Sequence, residues 1–159
     1  MKQLRLILIL LFVGAGAHAQ TLSIPDLTNL ANLNNAEAGN YLVQGKAFKL
    51  LYSQIVDGLN IQHYESTVAK GEVVIIGNGI QTTDGKLLHT VKYSSAKAQY
   101  VLGLVAQGPS AGLSMDFHGA DVSRNIYLFN NLLYTVNIYV NNDNSAGNVD
   151  VQQKDYLDY

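Results

Sequence analysis

Turn signals at nearly even spacing constrain this chain most. Asp57-Gly58, Lys70-Gly71 and Asp84-Gly85 cut residues 46–94 into four short segments. Asp-Gly is a two-residue hairpin signal, because the type I′ turn needs positive φ at both central positions. The intervening segments, Lys46 to Val56, Leu59 to Ala69, Glu72 to Thr82 and Lys86 to Ser94, are rich in branched and aromatic residues. In the second, Leu59, Ile61 and His63 share one face of a strand while Gln62, Tyr64 and Ser66 share the other. Val73-Val74-Ile75-Ile76 is apolar on both faces, which suits a central strand covered on both sides. The pattern predicts a four-stranded antiparallel meander.

Helical signals precede it. Ser23-Ile24-Pro25-Asp26 reads as a helix start, with Ser as cap, Pro in the first turn and Asp at the positive end of the dipole. Leu27, Leu30 and Leu33 follow at near-helical spacing. Asn34 or Asn35 then caps a second short helix through Tyr41-Leu42-Val43, with Glu37 in its first turn and Gly45 as its stop. After the meander the plan recurs. Ser94 or Ser95 caps a helix from Ala96 to Ala106, with Ala98, Val101, Leu102 and Val105 on one stripe and Gly108-Pro109 at its end. Strands are expected at Gly112 to His118, Asn125 to Phe129, Leu132 to Val140 and Asn148 to Gln153. Asn130-Asn131, tolerant of the left-handed region, should turn the middle hairpin. The expected fold class is α+β: short helices packed on one face of an antiparallel meander sheet. Residues 20–155 are read as a single domain, with 20–94 and 95–155 as two fused helix-plus-four-strand halves in one arrangement and 156–159 as a loose tail. Tyr41-Leu42 with Gly45 and Phe48, against Val101-Leu102 with Gly108 and Leu113, is compatible with a duplication and with coincidence of plan.

Residues 1–19 carry a different message. Lys2 and Arg5 precede the apolar run Leu6 to Val13, and Ala17-His18-Ala19 ends it in the small-residue arrangement that signal peptidase needs. The expectation is a secretory signal cut after Ala19, and a location in the periplasm or outside the cell. The run is shorter than the roughly 20 residues of a membrane span, and no second long run follows, so no stable membrane insertion is expected after cleavage. The chain has no cysteine, which excludes a disulfide framework, a thiolate metal site and a cysteine nucleophile. With Lys2 and Arg5 removed, eight of the ten Lys and Arg face twelve Asp and Glu, a poor balance for nucleic acid or an anionic membrane surface.

A signal segment, a capped Leu-rich helix, a Tyr-Leu-x-x-Gly-x-x-Phe step into strands and a second helix-meander half together resemble a group of small, uncharacterised exported bacterial proteins. The most characteristic stretch is Phe117-His118-Gly119-Ala120-Asp121-Val122-Ser123-Arg124-Asn125-Ile126-Tyr127, followed by Tyr134-Thr135-Val136-Asn137-Ile138-Tyr139. The tandem plan also resembles the β-lactamase-inhibitor-protein type of fold. The resemblance is architectural, and no residue role is carried over from it.

The remaining candidates for chemistry are few. His63 and Glu65, like Asp116 and His118, are two apart on a strand and share a face, so a carboxylate could orient each imidazole for acid–base work. An enzyme on this basis needs the pairs, or one pair and His89, to converge in one pocket. Gly108-Pro109-Ser110-Ala111-Gly112 is close to a nucleophile elbow, but that elbow joins strand to helix and here the order is reversed. Gly77-Asn78-Gly79 reads as a strand bulge. Asn141 to Ser145 supplies oxygens suited to calcium but one carboxylate, and reads as an ordinary turn. Asp121 to Asn125 reads as a polar loop with a local Asp–Arg contact. No cofactor or metal is expected. Tyrosine is the residual signal: ten are present, and Tyr52, Tyr64, Tyr93, Tyr127, Tyr134 and Tyr139 fall in expected strands. Tyrosine presents rigid apolar area with a polar tip, as binding surfaces do. The reading is an exported, non-catalytic binding or inhibitor-like module that contacts an unknown protein or envelope ligand through an aromatic sheet face carrying Tyr64, Tyr93, Tyr127, Tyr134 and Tyr139. The alternatives are a structural, self-associating envelope component and, behind it, a small hydrolase using the His/carboxylate pairs.

Overall fold

The computed structural model describes residues 22–155; the expected signal at 1–19 and tail at 156–159 lie outside the described residues. Helix α1, Ile24–Asn32, begins as its sequence requires. Ser23 Oγ accepts from the Asp26 amide at 3.3 Å, and the Asp26 carboxylate accepts from the Ser23 amide at 2.8 Å, a reciprocal capping box. Helix α2, Asn35–Asn40, repeats the device with Asn34 and Glu37. It widens into a π-type turn over Tyr41–Gly45, and the left-handed residue that follows is Ala47 (φ 55°) rather than Gly45.

Strands β1 (Phe48–Val56) and β2 (Leu59–Ser66) are joined by Asp57 (φ 51°) and Gly58 (φ 80°), the type I′ geometry expected. Between β3 (Glu72–Gln81) and β4 (Leu87–Ser95) the loop is longer. Only Gly85 has positive φ there, and the Thr82 amide donates to the Lys86 carbonyl at 2.8 Å. Gly77 is a bulge, as expected. The β3–β4 register shifts between Ile75 and Asn78, Gly77 sits at φ 83°, and a Cβ there would lie 2.1 Å from the Asn60 carbonyl oxygen.

Helix α3, Ala98–Gln107, starts later than expected, because β4 runs through Ser95 and absorbs both predicted caps. Lys97 holds the cap position with no side-chain cap bond. Its buried residues are Ala98, Val101 and Leu104, with Leu102 and Val105 packed at the margin. A 3₁₀ turn at Pro109–Ala111 leads to β5 (Ser114–Ala120), β6 (Arg124–Asn130), β7 (Tyr134–Asn141) and β8 (Gly147–Gln153). The β6–β7 turn departs from expectation. Neither Asn130 nor Asn131 adopts positive φ; instead Asn131 Oδ1 accepts from the amides of Leu133 and Tyr134, each at 2.9 Å. The Asn side chain, rather than its backbone tolerance, closes this loop.

All eight strands form one antiparallel sheet in the order β1-β2-β3-β4-β8-β7-β6-β5. Each meander contributes four consecutive strands, and the halves join where β4 pairs β8, from Thr90↔Gln152 to Ser95↔Gly147. The α+β architecture with a meander sheet is therefore the observed one. The core is a single cluster. Ile24, Leu27 and Leu30 of α1, Ala38 of α2, Leu42 of the π-type turn, and Val101 and Leu104 of α3 pack on Val74, Val91, Tyr93, Val136, Ile138, Val149 and Val151. Alternation along β7 and β8 sends Thr135, Asn137 and Tyr139, and Asn148, Asp150 and Gln152, to the opposite face, where each is half-buried. No described helix covers that face. The two-sided burial expected of β3 is thus one-sided: Val74 and Ile76 are buried, whereas Val73 and Ile75 are only partly so.

Candidate functional site: the uncovered sheet face

Strand registers define a row across the uncovered face: Tyr52, His63, Ile75, Lys92, Asp150, Asn137, Leu128 and Phe117, one residue from each strand. A second row beside it runs Glu65, Val73, Ser94, Asn148, Tyr139, Ile126 and Gly119. The face is polar in the middle, where β4, β8 and β7 meet, and apolar or aromatic toward both ends. At its centre Lys92 stands opposite Asp150. Burial raises the Asp150 carboxyl above its usual value, and the Lys92 charge pulls it partly back.

The aromatic ends are organised. Tyr52 and His63 stack with ring centres 4.2 Å apart, and burial lowers the His63 imidazole below its usual value. At the other half the Arg124 guanidinium lies 4.7 Å from the centre of the Tyr139 ring. Arg124 is itself held by Asp121, whose carboxylate takes Nε at 3.0 Å and the Ser123 amide at 2.7 Å. The Ser123 and Arg124 donors keep Asp121 well below the usual carboxylate range. The loop expected to hold an Asp–Arg contact does so, and the contact fixes a cation over an aromatic ring.

The five tyrosines expected to form a contact face do not lie together. Tyr64, Tyr93 and Tyr134 are only 4%, 0% and 8% exposed and belong to the helix-side core, so they supply packing and not contact area. Tyr134 is further held by the Asn32 amide, which donates to its hydroxyl. Tyr127 packs partly against the same core and stacks on His118 at 4.5 Å. Only Tyr139 stands on the uncovered face. Alternation alone separates the two sets, because β7 carries Tyr134 and Tyr139 an odd number of residues apart. Tyr52, Phe117, Ile126, Leu128 and Arg124 join it there. None was singled out as a contact from the sequence, and their strand periodicity relative to the buried valines is the signal that finds them.

The other candidates disperse. His63 lies on β2 and His118 on β5, at opposite ends of the sheet. Glu65 is engaged by Lys49 at 2.8 Å, and Asp116 accepts from the Asn130 amide. The convergence that a His/carboxylate enzyme needs is not formed by these pairs. Ser110 donates to the Gln107 carbonyl at 2.9 Å, closing the end of α3. In the Asn141–Ser145 loop the Asp143 carboxylate accepts from the Ser145 amide at 2.9 Å, with Asn144 left-handed at φ 54°. Among the described residues no group of three or more His, Asp or Glu is arranged to hold a metal ion, and no helix is long and apolar enough to cross a membrane. No protein-family model, curated protein or solved structure matches this chain.

Proposed function

We propose that this protein is an exported binding or inhibitor-like module that docks a protein partner on the uncovered sheet face. The observation that carries the reading is that face itself. It spans eight strands, its half-exposed aromatic and branched residues flank a polar centre, and no described element lies over it. Exposed apolar and aromatic side chains gathered on an uncovered face mark the surfaces that protein recognition uses. Tyr139 under Arg124 supplies the residue types most often found at binding hot spots. The signal-like start of the sequence points the same way.

The test is capture from the source cell's envelope and culture fluid with the wild-type protein and a Tyr139→Ser/Leu128→Ser variant. One dominant protein is expected, with its recovery reduced roughly tenfold or more by the variant at unchanged circular dichroism. Equal recovery by the two, or no enriched protein at any salt concentration, overturns the reading.

A further inference from the structure

One end of the sheet is unusually open. β1 is an outer strand, so one side of its backbone has no strand partner among the described residues. Every residue from Lys49 to Val56 is exposed, including Leu50, Leu51, Tyr52, Ile55 and Val56. Edge strands that stay single carry charge, Pro or a bulge to block pairing. In β1 the only such devices are Lys49 and a bulge between Leu50 and Tyr52, both at its start. Beyond them, Tyr52-Ser53-Gln54-Ile55-Val56 keeps regular register with β2 and holds no charge, Pro or Gly. The other outer strand, β5, is better blunted. Asp116 sits at its bulge between Met115 and Phe117, and Gly119 follows.

We propose that Tyr52–Val56 pairs with the same segment of a second copy, antiparallel, about a two-fold axis normal to the sheet. The segment is self-complementary. Centring it on Gln54 sets Gln54 opposite its own copy, Ser53 opposite Ile55, and Tyr52 opposite Val56, an aromatic–branched pair of the kind that stabilises strand pairing. Its ends are complementary too. Lys49, which also bonds Glu65 of its own copy, precedes it and Asp57, also exposed, follows it, so each basic end lies near the partner's acidic end. A two-fold axis uses the same edge on both copies and closes the assembly at a dimer. This interface runs along the β1 edge and leaves the centre of the uncovered face open on both copies, with Tyr52 common to both surfaces.

Sedimentation equilibrium of the purified protein over a concentration series tests it, with a Tyr52→Lys/Ile55→Lys variant and a Met115→Lys/Phe117→Lys variant of the opposite edge. The wild type and the β5 variant are expected at twice the protomer mass, the β1 variant at the protomer mass with unchanged circular dichroism. Because the chain has no cysteine, Gln54→Cys gives a second readout: it should form disulfide-linked dimers on mild oxidation, whereas Val122→Cys, fully exposed on the β5–β6 loop, should not. A monomeric wild type, association abolished by the β5 variant and kept by the β1 variant, or equal cross-linking at both cysteines overturns the proposal.

Discussion

Asp26 ties the start of the chain together. Beyond its capping bonds to Ser23, its carboxylate takes Lys46 Nζ at 2.8 Å and the Tyr41 hydroxyl at 2.5 Å, so one side chain joins α1 to the π-type turn after α2. Burial by itself raises this carboxyl, but the donors Lys46, Tyr41 and Ser23 outweigh it and hold it below the usual value. The fold therefore favours the ionised form. Its contribution is complete above the ordinary carboxylate range and is lost as pH falls through the lowered pKa. Asp26→Asn should cost about 1–3 kcal/mol at pH 7. Below about pH 4 the variant should lose less stability than the wild type. Urea denaturation at pH 7 and through the acid range checks both, and parallel acid limbs would refute the assignment. The capping part of this role was legible in Ser23-x-x-Asp26. The Lys46 and Tyr41 contacts were not, because they depend on how the second helix folds back. Elsewhere in the core, Glu72 is a buried carboxylate with no well-formed hydrogen bond, beside Tyr93, whose hydroxyl is pushed up by burial and by Glu72. Tertiary packing alone creates that pair.

At the scale of elements, the three helices among the described residues are unequally finished. The first two carry reciprocal capping boxes, whereas α3 begins at Lys97, in extended geometry (φ −124°, ψ 102°) but with no side-chain acceptor for the first-turn amides. Lys97 lies 5.2 Å from the Tyr100 ring and is exposed, so little is lost with it. Lys97→Asp should therefore raise stability by about 0.5–1.5 kcal/mol through a new cap and a better charge at the helix start. A shift of the urea midpoint at unchanged slope would confirm it; no shift would mean that strand β4 holds the helix start regardless of its cap. The sequence misplaced this cap at Ser94 or Ser95 because serine is a good cap in isolation, while the ladder to β8 claims both residues for the sheet. Glycine behaves in the opposite way. The bulge at Gly77 was readable from the glycines inside a strand pattern, and the structure adds that its close approach to the Asn60 carbonyl leaves no room for a Cβ.

For the whole molecule, the decisive contact is the seam. Six register pairs join β4 to β8, and α1, which belongs to the first half, packs on both of those strands. Leu104 and Val101 of the second half share one core with Leu27 and Leu30 of the first. The halves therefore should not unfold separately. Urea unfolding followed by far-ultraviolet circular dichroism and by tyrosine fluorescence is expected to give one coincident transition. Two resolved transitions would show that the meanders are autonomous. The same seam sets the Lys92–Asp150 pair at the centre of the uncovered face, so the candidate docking surface exists only when both halves are joined.

The sequence by itself determined the local structure: two capped helices, the Asp57-Gly58 turn, the Gly77 bulge, the succession of strands and the α+β class. These follow from backbone preferences and spacing within a few residues. The tertiary structure alone decided which side of each strand faces the helices. The alternating pattern names two sets of side chains per strand, but only the placement of α1 and α3 shows which set is covered. For that reason Tyr64, Tyr93 and Tyr134 became core, while Tyr139 came to share a surface with Tyr52 and Phe117 from strands far apart in sequence.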